Sequence, residues 1–425
     1  MSTASTDTPP DTDASGHLDL AWVRGQFPGL SQPWALLDNA GGSQIARHCV
    51  ERINEFLYER NVQIGGSYDL SRSAAAALIE GREAAATLVN AERPEEIVFG
   101  GTTTLLLQNL ARAMRGGLSP GDEIVVGVAD HESNIGPWVG LEEFGIVIRW
   151  WRPARVDRPL DPAELEPLLN ARTRLVSITH ASNILGTVNP IRAIADTVHA
   201  AGARLCVDGT AYAPHRAIDV RALDVDYYAF SLYKVYGPHH AILYGRHEHL
   251  LELDTLYHYF YGRDKVPGKL EPGNANYELS YSVAGIVAYL EEIGRRAGAD
   301  GASPRAALER AFEAIRRQED ALTAHLLGWL ATRGDCTVVG PADDADGQRV
   351  PTIAFKVAGR DSGDVARAVE ERRIAIRFGD FHSRRLIEHL DLAGDGGVVR
   401  VSMVHYNTLD EVERLIEALE EALDG

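Results

Sequence analysis

Ala229-Phe230-Ser231-Leu232-Tyr233-Lys234-Val235-Tyr236-Gly237-Pro238 is the stretch from which the rest of the chain is read. An apolar, β-like run leads to a lysine and a Gly-Pro stop follows it, so the amine is expected to point out of a sheet edge. A lysine desolvated in such a place has a depressed pKa and condenses with aldehydes as a Schiff base. Most lysines are solvated surface charges, so Lys234 carries little by itself. Asp208, 26 residues upstream, closes a second apolar strand, Leu205-Cys206-Val207. A carboxylate at one strand end and an amine at a later one make a chemical pair.

A third motif lies further upstream. Ile97-Val98-Phe99 reads as a strand, Gly100-Gly101-Thr102-Thr103-Thr104 follows, and Leu105 to Met114 has helical character. Glycines let the backbone approach an anion, threonine hydroxyls donate, and a helix N-terminus adds free N–H groups and a positive dipole end. In isolation the motif reads more simply as a Thr-capped helix start. Together with Asp208 and Lys234 it matches the needs of pyridoxal 5'-phosphate: a phosphate cradle, an acid for the pyridine nitrogen and an amine for the aldehyde.

Strands and helices alternate from Leu36 onward. Glu123 to Val128, Ile146 to Trp151 and Arg174 to Thr179 read as apolar strands. Pro190-Ile191 opens a helix with Ile191, Ile194 and Val198 on one face, and Gly202 ends it. The resulting βαβ unit predicts a largely parallel sheet covered on both faces, with ligand groups beyond the strand C-termini. The chain from about Ser280 to Leu330 is helix-rich, and strands around Val338, Ile353 to Val357 and Val398 to Ser402 follow. A Thr408-x-x-Glu411 capping box starts a last helix whose Leu409, Val412, Ile416, Leu419 and Leu423 form a core stripe. The expected organisation is a Ser/Thr/Asp/Pro-rich disordered tail over 1–17, a large domain over 18–285 including an N-terminal segment, and a smaller α+β domain over 286–425.

Composition agrees. A chain of 425 residues with 45% hydrophobic and 24% charged residues suits a two-domain globular protein. A net charge of -19 argues against a nucleic-acid partner. Three cysteines and no signal peptide point to the reducing cytoplasm, and no apolar run approaches the ~18 residues of a membrane helix. No metal-ligand pattern is read.

With these motifs in this order, the chain resembles class V, fold type I pyridoxal-phosphate enzymes of the cysteine desulfurase and selenocysteine lyase group, from about Leu36 to the C-terminus. The resemblance implies an α/β fold with a large, mostly parallel sheet domain and a smaller C-terminal domain. It implies phosphate ligands at Thr102, Thr103 and Ser231, and a Schiff base at Lys234. It places His131 of Asp130-His131-Glu132-Ser133-Asn134 on the pyridine ring and Asp208 at its nitrogen. Asn183 of His180-Ala181-Ser182-Asn183 falls near the phenolic oxygen, and Arg400 of Val399-Arg400-Val401-Ser402 clamps the substrate carboxylate, a task suited to a guanidinium fork. A homodimer is implied, with the Glu271–Asn274 run standing where a partner-reaching Gly-Thr pair is usual, so that Asn274 would donate to the neighbouring subunit's phosphate.

Departures matter too. The desulfurase loop that carries a persulfide-forming cysteine corresponds to Ile374–Ser383, which has none. Ala211 and Tyr233 stand where glutamine and histidine are usual, and Leu37–Ser43 and Gly65–Tyr68 resemble the substrate-side loops of a cysteine-lacking branch. Asn39, Tyr68, Phe381 and His382 are therefore expected to shape the substrate pocket. Cys206 reads as buried core, and Cys336 lies far from that loop. The expected activity is β-elimination from cysteine or a cysteine S-conjugate, a small-molecule C–S lyase. The alternatives are an aminotransferase, an epimerase, a decarboxylating enzyme, or a pseudo-enzyme scaffold.

Overall fold

The computed structural model describes residues 18–343 and 347–424; the tail expected over 1–17 lies outside the described residues. Thirteen strands are formed among them: β1 (Ala35–Leu36), β2 (Ile97–Gly100), β3 (Glu123–Gly127), β4 (Val147–Trp151), β5 (Thr173–Thr179), β6 (Arg204–Asp208), β7 (Tyr227–Ser231), β8 (Ala241–Gly245), β9 (Cys336–Val339), β10 (Thr352–Val357), β11 (Ile374–Ala375), β12 (Arg377–Gly379) and β13 (Val398–Ser402).

The larger sheet has seven strands in the order β2-β8-β7-β6-β5-β3-β4. From β7 to β4 every pairing is parallel, while β8 runs antiparallel to both β7 and β2. The apolar runs are continuous because both faces are covered. On β6, Leu205 and Val207 enter one core layer, with Ile178 and Phe230. Cys206 enters the opposite layer, with Leu107, Leu110 and Trp138. The helix Ile191–Ala200 buries Ile191, Ile194 and Val198 on the first of these faces, as its spacing predicts.

The smaller sheet, β12-β13-β10-β9, is wholly antiparallel. Helix Leu409–Asp424 covers it, and the capping box is formed: the Glu411 N–H donates to Thr408 Oγ1 at 3.1 Å and the Thr408 N–H to Glu411 Oε2 at 3.1 Å. Val412, Ile416 and Leu419 are buried, but Leu409, in the first turn, is 49% exposed and leaves the expected stripe. Helix Pro304–Thr332 ties the two bodies together. Its Ala311, Phe312 and Ile315 pack into the larger core and its Leu322, Leu326 and Leu330 into the smaller one. The N-terminal segment, expected with the large domain, is divided between both. Val23 and Phe27 join the larger core, whereas β1 pairs in parallel with β11 and Ala35 and Leu37 join the smaller core.

Candidate functional site

Strand register brings the chemistry to one edge. Thr179 pairs with Asp208, Asp208 with Ala229, Ser231 with Ala241 and Ala241 with Gly100. The C-terminal ends of β5, β6 and β7, and the turn after β2, therefore open into one cleft.

Lys234 ends a short 3-10 turn, Leu232–Lys234, directly after β7, and only 9% of it is exposed. Among the described residues its Nζ has no hydrogen-bond or ion-pair partner; it lies 5.9 Å from the centroid of the Tyr233 ring. Burial, with a smaller push from Arg400, lowers its pKa from 10.5 to about 8, and Asp208 and Asp38 pull the other way. Asp208 is 3% exposed; its Oδ1 accepts the Thr210 N–H at 2.9 Å. Burial raises its pKa, against the Thr210 hydrogen bonds and the Lys234 charge.

At the other end of the cleft, Thr102 caps helix Thr103–Met114, its hydroxyl accepting the Leu105 N–H at 3.1 Å. Thr103 Oγ1 lies 2.7 Å from Ser231 Oγ and 3.4 Å from Thr210 Oγ1. Three hydroxyls and a helix N-terminus thus converge, as a phosphate needs. A buried, partnerless amine and a buried carboxylate at the opposite end complete the requirements of pyridoxal phosphate. The residues present fit that group.

His131 also lines the cleft. Its Nδ1 accepts the Ser133 N–H at 3.1 Å and lies 2.7 Å from Ser133 Oγ, so the neutral ring carries its proton on Nε2. Burial first, then Lys234, His382 and Arg400, lower its pKa to about 3. Asn183 faces the loop after β12: its Nδ2 donates to the Phe381 carbonyl at 3.0 Å and its Oδ1 accepts from Ser383 Oγ at 2.9 Å.

Arg400, on β13, is 2% exposed. Its Nη1 donates to the Asn183 carbonyl at 3.1 Å and its Nη2 to Asp38 Oδ1 at 2.9 Å. The Phe381 ring covers its face at 3.8 Å. Burial brings its pKa down to about 10, against Asp38, so it stays charged at neutral pH.

Arg400, Phe381 and His382 do not themselves line the cleft, and Asn39, Tyr68 and Asn274 are not brought to it. Asn39 serves the fold: its Nδ2 is shared among Leu36 O, Ser402 O and Asn407 Oδ1, and its Oδ1 accepts from the Tyr406 hydroxyl. Its neighbour Asp38 is the group that reaches the site, which the sequence reading missed together with Thr210 and Thr179. Tyr68 is 52% exposed outside the cleft. Asn274 is exposed on a loop anchored by Glu271, which binds Arg82 at 2.8 Å and accepts the Phe99 N–H at 2.8 Å. Among the cysteines, all free, Cys49 and Cys206 are buried and Cys336 sits at the start of β9; none lines the cleft.

A family model for aminotransferase class-V matches residues 35–415. The aminotransferase-like protein FGM3 of Gibberella zeae is 43% identical over 418 residues, covering 96% of this chain and 100% of its own length. The cysteine desulfurase-like protein ustD of Aspergillus flavus is 36% identical over 423 residues, covering 97% of this chain and 92% of its own. Among solved structures, the cysteine desulfurase CsdA of Escherichia coli, in an S-sulfonic acid form, matches with a TM-score of 0.81 at 27% identity, over 96% of this chain and 98% of that one.

Proposed function

The chain belongs to the aminotransferase class-V family, whose cofactor is pyridoxal phosphate, and from that premise we propose an amino-acid lyase that breaks a Cβ–sulfur bond of cysteine or a cysteine S-conjugate. The observation that carries this reading is a partnerless buried amine, Lys234, in a cleft that no thiol lines. Persulfide chemistry needs an accessible thiolate at the substrate.

When bound, the cofactor supplies an aldehyde for the substrate amine and a ring that accepts an electron pair from a bond at Cα. Thr102, Thr103, Ser231 and Thr210 would hold its phosphate, Asp208 would keep the proton on the ring nitrogen, and His131 would cover the ring. Asn183 donates near the phenolic oxygen, and Arg400 holds the substrate carboxylate. Lys234, with its lowered proton affinity, removes the Cα proton. The sulfur leaves with its bonding pair and is protonated to a thiol; water then completes the balance, giving thiol, pyruvate and ammonia. The description of FGM3 as aminotransferase-like favours a second reading, transamination at the same site.

The working unit is proposed to be a homodimer in the cytoplasm. Tyr68 and Asn274 stand outside their own chain's cleft, and Tyr259 and Phe260 are 99% and 65% exposed, as a contact surface requires. Among the described residues no helix is long and apolar enough to cross a membrane.

Cysteine conjugates and plain amino acids should be scanned with product analysis by mass. Thiol plus pyruvate supports the lyase, a keto acid with no thiol supports transamination, and a D-amino acid supports epimerisation. Borohydride reduction and peptide mapping should place a pyridoxyl group on Lys234; another lysine labelled refutes the site. A fully active monomer in sedimentation refutes the dimer.

A further inference from the structure

Between β12 and helix Arg384–His389 the backbone takes an unusual course. Gly379 has φ 127°, Phe381 φ 51° and His382 φ 60°. Two successive side-chain-bearing residues in the left-handed region are uncommon, and such strain persists only where the surroundings impose it. Here they do. Asn183 holds the Phe381 carbonyl and the Ser383 hydroxyl, and the Phe381 ring lies on Arg400. The His382 N–H donates to Asp380 Oδ1 at 3.1 Å, and its carbonyl accepts the Glu132 N–H at 2.8 Å.

Every polar backbone atom of His382 is thus fixed, while its ring nitrogens have no hydrogen-bond partner among the described residues. The ring is exposed to solvent and lies 5.3 Å, centroid to centroid, from the ring of His131, which lines the cleft. Glu132, Asp380, Arg384, Arg385 and Glu388 are the other charged groups around it. The loop is held in an unfavourable conformation whose visible result is one free imidazole beside the cleft.

Elimination of a thiol needs two proton transfers. Lys234 takes the proton from Cα, and a second group must give one to sulfur. His131 is poorly suited, since its Nδ1 already accepts from Ser133 and its half-buried ring, with its pKa lowered to about 3, stays neutral.

We propose that His382 is the general acid that protonates the sulfur leaving from Cβ. This rests on the C–S lyase reading and deepens it by naming the proton donor. As the Cβ–S bond breaks, sulfur keeps the bonding pair and takes a proton from the imidazolium, and the neutral imidazole recovers a proton from water. No oxidant or reductant is involved.

Leaving-group dependence tests this assignment on the holoenzyme. S-benzylcysteine releases an alkyl thiol that needs a proton; S-(4-nitrophenyl)cysteine releases a far more acidic aryl thiol that does not. His382→Asn keeps a residue that tolerates the left-handed backbone and removes the acid. Loss of general acid catalysis costs about 10²–10⁴-fold, so kcat on S-benzylcysteine should fall in that range. The loss on the nitrophenyl conjugate should be smaller by at least an order of magnitude, with the cofactor's visible band unchanged, and His382→Ala should regain turnover of the benzyl substrate with added imidazole. Equal losses on both substrates would mark a structural role and overturn the proposal, as would no loss on either. Wild-type enzyme that releases neither thiol would instead overturn the lyase reading itself.

Discussion

Replacing Lys234 by methionine keeps an unbranched side chain of similar length and deletes the amine, which makes the desolvation of Lys234 measurable as stability. Burial lowers the pKa of Lys234 from 10.5 in the unfolded chain to about 8 in the fold. Between these values the unfolded chain binds a proton that the folded one has released. Unfolding therefore takes up protons in this window, and stability rises with pH through it. Each tenfold change in proton affinity is about 1.4 kcal/mol, so the charged amine costs the cofactor-free protein about 3 kcal/mol below pH 8. That cost is relieved by pH 10.5. Lys234→Met should accordingly be more stable than wild type by about 3 kcal/mol at pH 7 in the cofactor-free state, with the gap closing toward pH 10.5. Urea unfolding of both proteins at a series of pH values gives the difference curve, in which other titrating groups cancel. Two curves that run parallel through the window would show that the amine is not desolvated, and its role as nucleophile and base would lose its physical basis.

Asp208→Ala should retain the cofactor's visible colour and lose turnover by at least a factor of about 10², since a charge-assisted buried partner is worth roughly 2–3 kcal/mol. A near-normal kcat would mean that a protonated ring is not needed. Changing Cys49, Cys206 and Cys336 together to alanine should leave kcat within about twofold while lowering stability by ~1 kcal/mol for each buried thiol; a sulfur adduct on Cys336 after incubation with cysteine would restore a desulfurase mechanism. Gly81→Ala should destabilise although alanine favours helices, because a Cβ there would stand 2.1 Å from the Ser280 carbonyl oxygen. Overpacking of that kind costs about 1–3 kcal/mol, and an unchanged urea midpoint would count against so close a helix approach.

The groups that the sequence made legible are those whose role is set by local chain geometry. Lys234, Asp208 and Thr103 each follow an apolar run at a strand end, so their exit into a common edge follows from the parallel sheet. The same logic could not separate Asp38 from Asn39. Successive residues of an extended segment point to opposite sides, and which of the two faces Arg400 is fixed by the pairing of β1 with β11 and by Ser402, distant in the chain. Strand β8 was not anticipated either, since only its antiparallel register against β7 and β2 reveals its place between them. Cys206 was legible as core because it sits mid-run; Leu409 was not legible as half-exposed because helix periodicity ignores where the neighbouring element ends.

Asp38 gives the anchoring of Arg400 a built-in competitor. With Arg400 as the carboxylate anchor, an incoming amino acid does not fill an empty fork but exchanges with a tethered anion already 2.9 Å away. A tethered group acts at an effective concentration in the millimolar range or above, so inorganic anions and simple carboxylic acids compete poorly with it. An amino acid also held through its amine can win the exchange. In the proposed lyase reaction the pyruvate formed has no amine, so Asp38 is expected to regain the guanidinium once ammonia is lost, and the ion pair that screens entry would then favour departure.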